Sequence, residues 1–176
     1  MLKKGIVWLL VCSSTVFADQ ITLPGNFKAD FSQTVTNPSK KVIRYSGKVL
    51  FSDRSHLKWI YREPTSKEVC TDGKEVLIVD HDLEQVSAYR IEKGFDLAHI
   101  IQQAKPYKAH IYVTTYGGRQ YTLKTDEKGR LQSVAYYDDL DNKVQILFTK
   151  MHYGKSTLRA DRMQCNYPAD YDVIRG

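Results

Sequence analysis

The sequence predicts a mainly β protein, an antiparallel meander of about ten strands, strongly curved and accompanied by one short helix. Three observations predict it. Apolar and polar residues alternate with period two through most of the chain, as half-buried strands require. Turn signals separate these alternating runs at hairpin spacings. Helical periodicity is confined to one stretch, between Lys93 and Lys105.

The first eighteen residues stand apart from that pattern. Lys3 and Lys4 precede an apolar run from Ile6 to Val11, and Val16-Phe17-Ala18 offers the small or apolar positions a signal peptidase reads. This predicts a secretory signal peptide over 1–18, cleaved after Ala18, and a single mature domain over 19–176. The apolar run is too short to cross a bilayer core of roughly 30 Å as a helix, so we expect a soluble, exported product. A lipoprotein acylated at Cys12 is the rival reading; Val11, which is not small, stands where that processing needs a small residue.

Strands are expected near 27–35, 42–51, 56–62, 67–70, 75–80, 84–90, 109–116, 119–125, 130–137 and 143–152. Phe27, Ala29 and Phe31 alternate with Lys28, Asp30 and Ser32; Tyr45, Gly47, Val49 and Phe51 continue the rule, then Leu57, Trp59 and Tyr61. Turns are marked by Asn37-Pro38, Ser52-Asp53-Arg54-Ser55, Asp72-Gly73-Lys74, Gly117-Gly118, Asp126-Glu127-Lys128-Gly129 and Asp138-Asp139-Leu140-Asp141-Asn142. Over 94–104, Phe95, Leu97, Ala98, Ile101 and Ala104 fit one helical stripe that stops at Lys105 before Pro106. Such a helix needs a surface to cover, and the concave side of the sheet is the expected one. The residues from Pro168 onward read as a loose tail.

Removing residues 1–18 takes away Lys3 and Lys4, two of the 26 basic side chains, and none of the 20 acidic ones, leaving a net +4. Outside the cytoplasm that balance favours anionic lipid or an acidic partner over nucleic acid, whose Arg/Lys stripes with interleaved aromatics are missing. Cys70 and Cys165 survive processing, and an even count in an oxidising compartment suggests a disulfide, with two buried thiols as the alternative. The 12 tyrosines, 6 phenylalanines and 2 tryptophans exceed what a small core consumes, suggesting a partly open apolar cavity; ordinary β-propensity of aromatics would explain them as well.

The chemistry-bearing residues form no catalytic or metal pattern. His56, His81, His99, His110 and His152 lack metal-ligand spacing, and Asp80-His81-Asp82 sits where a β-turn is expected. The acidic stretch 138–142 lacks the glycine and terminal glutamate of a calcium loop. No serine stands in a G-x-S-x-G context, so no catalytic residue is assigned, no cofactor is expected, and the chain reads as a non-enzyme. A periplasmic hydrolase or metal-binding protein using His81 or His110 is the reading kept from another class.

Four pieces then occur in series: Phe27-Lys28-Ala29-Asp30-Phe31-Ser32-Gln33-Thr34-Val35, Tyr45-Ser46-Gly47-Lys48-Val49, Leu57-Lys58-Trp59-Ile60-Tyr61-Arg62-Glu63-Pro64 and Asp72-Gly73-Lys74. Their order and spacing over about residues 27–125 resemble the LolA family of periplasmic outer-membrane lipoprotein carriers. The resemblance implies an incomplete, half-open antiparallel β-barrel with a short helical lid over an apolar cavity that accepts lipoprotein acyl chains. It implies a soluble monomer in the periplasm of a Gram-negative bacterium. The implied partners are acylated lipoproteins, an inner-membrane ABC-type release complex and an outer-membrane acceptor. The related lipid-anchored acceptor is the runner-up.

On that footing the cavity lining is expected from Phe31, Phe51, Leu57, Trp59, Tyr61, Ile78, Val86, Phe95, Leu97, Ile101 and Phe148, and Arg54 is the match for the arginine that latches the family's lid. The family's N-terminal amphipathic helix has only Asp19 to Asn26 to form from here, interrupted by Pro24-Gly25, which implies a smaller lid.

Overall fold

The computed structural model describes residues 21, 24–53, 55–90 and 96–175. The expected signal peptide, its cleavage site and Cys12 lie outside the described residues. The chain runs β1 (Asn26–Thr36), β2 (Val42–Ser52), β3 (His56–Glu63), β4 (Lys67–Thr71), β5 (Glu75–Asp80), β6 (Gln85–Arg90), α1 (Leu97–Gln103), β7 (Lys105–Lys108), β8 (Ile111–Tyr116), β9 (Arg119–Thr125), β10 (Leu131–Tyr137), β11 (Lys143–Gly154), α2 (Ala160–Met163) and β12 (Asp172–Arg175).

Among the described residues, twelve strands form one open sheet in the order β12-β6-β5-β4-β3-β2-β1-β11-β10-β9-β8-β7. Two hairpin meanders, β1–β6 and β7–β11, meet where β1 pairs antiparallel with β11. The turns work as their residues require. Asp126 and Asp138 each accept from backbone N–H groups two and four residues ahead, at 2.9 Å, which closes tight loops without outside partners. Gly117 and Gly118 both take positive φ, 57° and 79°, as a two-residue hairpin turn demands.

The register carries one set of residues onto each face. On the inner, concave face, one row runs Phe27, Phe51, Leu57, Thr71, Val76, Tyr89, and the next runs Ala29, Val49, Trp59, Val69, Ile78, Ser87. A third row begins Phe148, Phe31, Gly47, Tyr61 and ends in Lys67 and Asp80, which form an ion pair at 2.9 Å. From the other meander, Tyr121, Leu123, Val134, Val144 and Ile146 join the same core.

The expected helix is shorter at both ends. The Asp96 side chain accepts from the His99 N–H at 2.9 Å and caps its start, and Ala104 leaves the helical region. Lys105 cannot continue it, because the following Pro106 disfavours α conformation at the preceding residue; β7 begins there instead, a strand the sequence pattern did not suggest.

The C-terminal residues also differ from expectation. They are no loose tail: Val173 pairs with Val86, and β12 adds to β6 in parallel. Before that, the segment crosses the outer face of the sheet, where Cys165 is bonded to Cys70, with Cα atoms 5.7 Å apart. Met163 is buried there, and Cys70, Val79, Val86 and Ala88 form a second, smaller core beneath the segment. The tether at Cys165 keeps the chain close to β6, and β6 has an unpaired edge that the last residues fill.

Candidate functional site: the concave apolar face

Gly47 sets the geometry of the concave face. A Cβ there would meet the Ile60 carbonyl oxygen at 1.9 Å and Phe31 Cε1 at 2.9 Å, so only glycine lets the Phe31 ring lie across β2. Phe31 then packs edge-on against Trp59 and Tyr61, at 4.8 and 5.0 Å between ring centroids. Phe27 stacks on Phe51 at 5.0 Å, and Trp59 reaches Phe148 at 6.1 Å. These contacts make one continuous aromatic lining.

The helix joins the same core. Leu97, Ala98, Ile100 and Ile101 are all buried, Ile100 completely, and His99 lies over Tyr116 of β8 at 5.0 Å. Side chains of α1 therefore occupy part of the hollow that the sequence suggested. Toward β4–β6 the lining is more open: Val69, Val76 and Ile78 are half-buried and Tyr89 is exposed. The Lys67–Asp80 pair bounds this opening.

Tyrosines gather where the lining meets β10 and the far end of β1. The Tyr61 hydroxyl donates to Gln33 Oε1 at 3.0 Å, Tyr45 packs edge-on to Tyr61, and Tyr121 lies 5.0 Å from Tyr136. Burial, with the neighbouring phenols Tyr136 and Tyr45, raises the Tyr61 pKa well above that of a free phenol. Burial, then Tyr121 and Asp138, pushes Tyr136 up to about 12. Both hydroxyls stay neutral at physiological pH, so this end of the lining offers polar tips without charge.

Of the expected lining residues, Phe31, Phe51, Leu57, Trp59, Tyr61, Leu97, Ile101 and Phe148 meet in this cluster, with Ile78 at its open side. Val86 does not. It pairs with Val79 on the opposite face, beneath the C-terminal segment, because β6 enters the sheet with odd-numbered residues inward. Phe95 and Arg54, the expected latch, lie outside the described residues. Sequence reasoning missed Phe27, Val49, Tyr121, Leu123, Val134, Val144, Ile146 and Ile100. Their strand alternation was legible, and continuing the inward parity along each run would have found all but the helical Ile100.

The histidines have local roles. His81 Nδ1 lies 3.2 Å from the Tyr171 hydroxyl, and His56 Nδ1 lies 2.6 Å from Asp53. Glu68, Cys70 and Cys165 stand close enough together for a metal, but the two sulfurs are bonded to each other. Among the described residues no helix is long and apolar enough to cross a membrane.

Residues 25–96, which span β1–β6, match the family model described as outer membrane lipoprotein carrier protein LolA. An outer-membrane lipoprotein carrier protein of Wolinella succinogenes is 33% identical over 124 residues, covering 70% of this chain and 72% of that protein. The chain belongs to the LolA family. A namesake from Campylobacter jejuni is 26% identical to this LolA-family chain over 174 residues, 99% of the chain and 100% of the relative. The fold agrees with a LolA superfamily protein from Nitrosomonas europaea at a TM-score of 0.51 and 11% identity, over 84% of this chain and 94% of that one.

Proposed function

We propose that the protein is a periplasmic carrier that holds the acyl chains of lipoproteins against its concave face and takes them from the inner to the outer membrane. The observation that carries this reading is the uncharged aromatic lining over which α1 lies. Each buried CH₂ contributes about 0.8 kcal/mol, so one long acyl chain costs on the order of 10 kcal/mol to expose to water. A dry lining of this kind offsets that cost without polar contacts specific to one cargo, and its work is non-covalent. Release follows from competition: α1 and cargo bury the same surface, so the closed arrangement limits affinity.

In this reading α1 is the lid and swings off β8 to admit cargo, and Arg54 biases it toward closure. An inner-membrane ABC-type complex supplies the lipoprotein and an outer-membrane acceptor receives it. Residues 1–18 direct export and are removed, leaving a soluble monomer. The test is co-purification with a triacylated lipopeptide. Ile78→Glu, at the half-buried side of the lining, should abolish uptake while circular dichroism stays unchanged; full uptake by that variant would refute the reading. Joining His99→Cys to Tyr116→Cys with a non-reducible crosslinker should block uptake if α1 is the lid, and unchanged uptake would exclude that role.

A further inference from the structure

The concave face does not account for a second recess, of about 640 Å³, on the outer face of β1, β2 and β11. Lys28 and Lys48 rise from its floor, Lys150 and His152 from β11, and Arg162 from the C-terminal segment that forms its far wall. A β-bulge opposite Ala29, with Lys150 at φ 49°, turns Lys150 onto this face, where it meets Asp30 at 3.1 Å. Asp161, the other acid of the lining, pairs with Arg159. Among the described residues no ion pair engages Lys28, Lys48 or Arg162, which leaves the recess with an excess of exposed cations.

The wall is held in place. Lys58 is buried, pairs with Glu68 at 2.9 Å and donates to the Gln164 carbonyl at 2.7 Å, and Cys165 is bonded to Cys70. Asn166, also lining the recess, donates its N–H to Glu68 at 3.2 Å. The recess is thus a preorganised basic groove rather than scattered surface lysines.

We propose that this groove docks an extended acidic segment of a protein partner. Lys28 stands beside Leu50 and Lys48 beside Asp30, so the two lysines are diagonal neighbours, roughly 7–8 Å apart at their backbones. Carboxylates two residues apart on an extended chain are spaced about 7 Å, a close match. A recess also admits a strand or loop and excludes a flat headgroup layer, which decides against a lipid surface. Because the groove opens on the face opposite the apolar lining, a partner can hold the carrier without obstructing cargo. The groove stands on its own geometry and does not depend on the cargo reading.

The experiment is fluorescence anisotropy of a fluorescein-labelled peptide of alternating Glu and Thr against the mature protein. Binding at low salt should weaken at least tenfold in Lys28→Glu/Lys48→Glu, and also in Arg162→Glu, whose exposed side chain keeps the test independent of folding at the double site. Lys40→Glu/Lys128→Glu, the same charge change at remote turns, should stay within twofold. Uptake of the triacylated lipopeptide should be unchanged in all three variants, which separates this proposal from the cargo reading. An equal loss in the remote variant, no binding at low salt, or tighter binding to phosphatidylglycerol vesicles through the same lysines would overturn it.

Discussion

Shortening Ile100 to alanine should make the protein less stable and a better lipid binder at once. Ile100 is completely buried where α1 meets the sheet. Replacing it with alanine removes three carbons, about 2.4 kcal/mol of transfer free energy before any cavity term. The proposed lid, α1, rests on Leu97, Ile100 and Ile101, which together contribute on the order of 6 kcal/mol. In the proposed reading an acyl chain brings about 10 kcal/mol to the same surface, so cargo would displace the lid with only a few kcal/mol in hand. Lid energy removed from the closed arrangement passes to the apparent affinity, with a ceiling of about 60-fold for 2.4 kcal/mol. Contacts that Ile100 itself makes with cargo reduce the gain, and a fivefold or greater tightening is expected. Titration of a fluorescent triacylated lipopeptide, alongside a thermal melt, reads both quantities. Weaker or unchanged binding in a destabilised Ile100→Ala protein would refute the competition between lid and cargo.

The remaining predictions concern the frame. Cys70→Ser/Cys165→Ser opens a loop with a sequence separation of 95 and should lower stability by about 4–5 kcal/mol on the chain-entropy model, seen as a fall of about 10 °C or more in Tm. Lys58→Ala strands the Glu68 carboxylate under the C-terminal segment and should cost about 3–5 kcal/mol, whereas Lys58→Met/Glu68→Leu should recover most of it in denaturant titrations. Gly47→Ala forces β2 from β3 and should abolish the folded near-ultraviolet circular dichroism signal. Tyr136 ionises at about 12 in the fold and near 10 when unfolded, so its contribution is complete below pH 10 and is lost as pH rises from 10 to 12. The difference in tyrosinate absorbance between the protein and Tyr136→Phe should rise in that window together with unfolding, and a difference appearing near pH 10 without unfolding would contradict the burial of Tyr136.

Legibility in the sequence followed the range of the forces involved. Phe27 to Phe31, Tyr45 to Phe51 and Leu57 to Tyr61 announce their inward faces because alternation is local, and Asp126 and Asp138 announce their turns because the side chain bonds the backbone of its own loop. Val86 was misplaced because a six-residue strand with valine and alanine on one side and serine and tyrosine on the other gives no parity of its own; only the register against β5 and the C-terminal cover decide it. β7 and β12 were missed for a related reason. Each is a four-residue exposed strand whose pairing comes from a neighbour brought near by tertiary structure. The second core under Cys165 was hinted at by the even cysteine count, but nothing local connects Met163 with Val79.

An open sheet suits a carrier because opening it breaks no ladder. A closed barrel would have to sacrifice strand hydrogen bonds to admit an acyl chain, each costly once buried. Among the described residues the sheet is interrupted between β7 and β12, and α1 meets it through side chains, so the proposed lid movement would exchange one apolar contact for another. Among the described residues β7 and β12 form the two edges of the sheet, which invite aggregation, and each is guarded. β7 carries Lys105, Pro106 and Lys108, and β12 is short and bounded by Asp172 and Arg175. The bridge at Cys165 holds the segment that delivers β12, so the outer face secures an edge while the inner face stays free to yield. The division predicts an asymmetry in hydrogen exchange: amides of α1 should exchange faster than those of β1 and β11, and cargo should change the first set while leaving the second untouched.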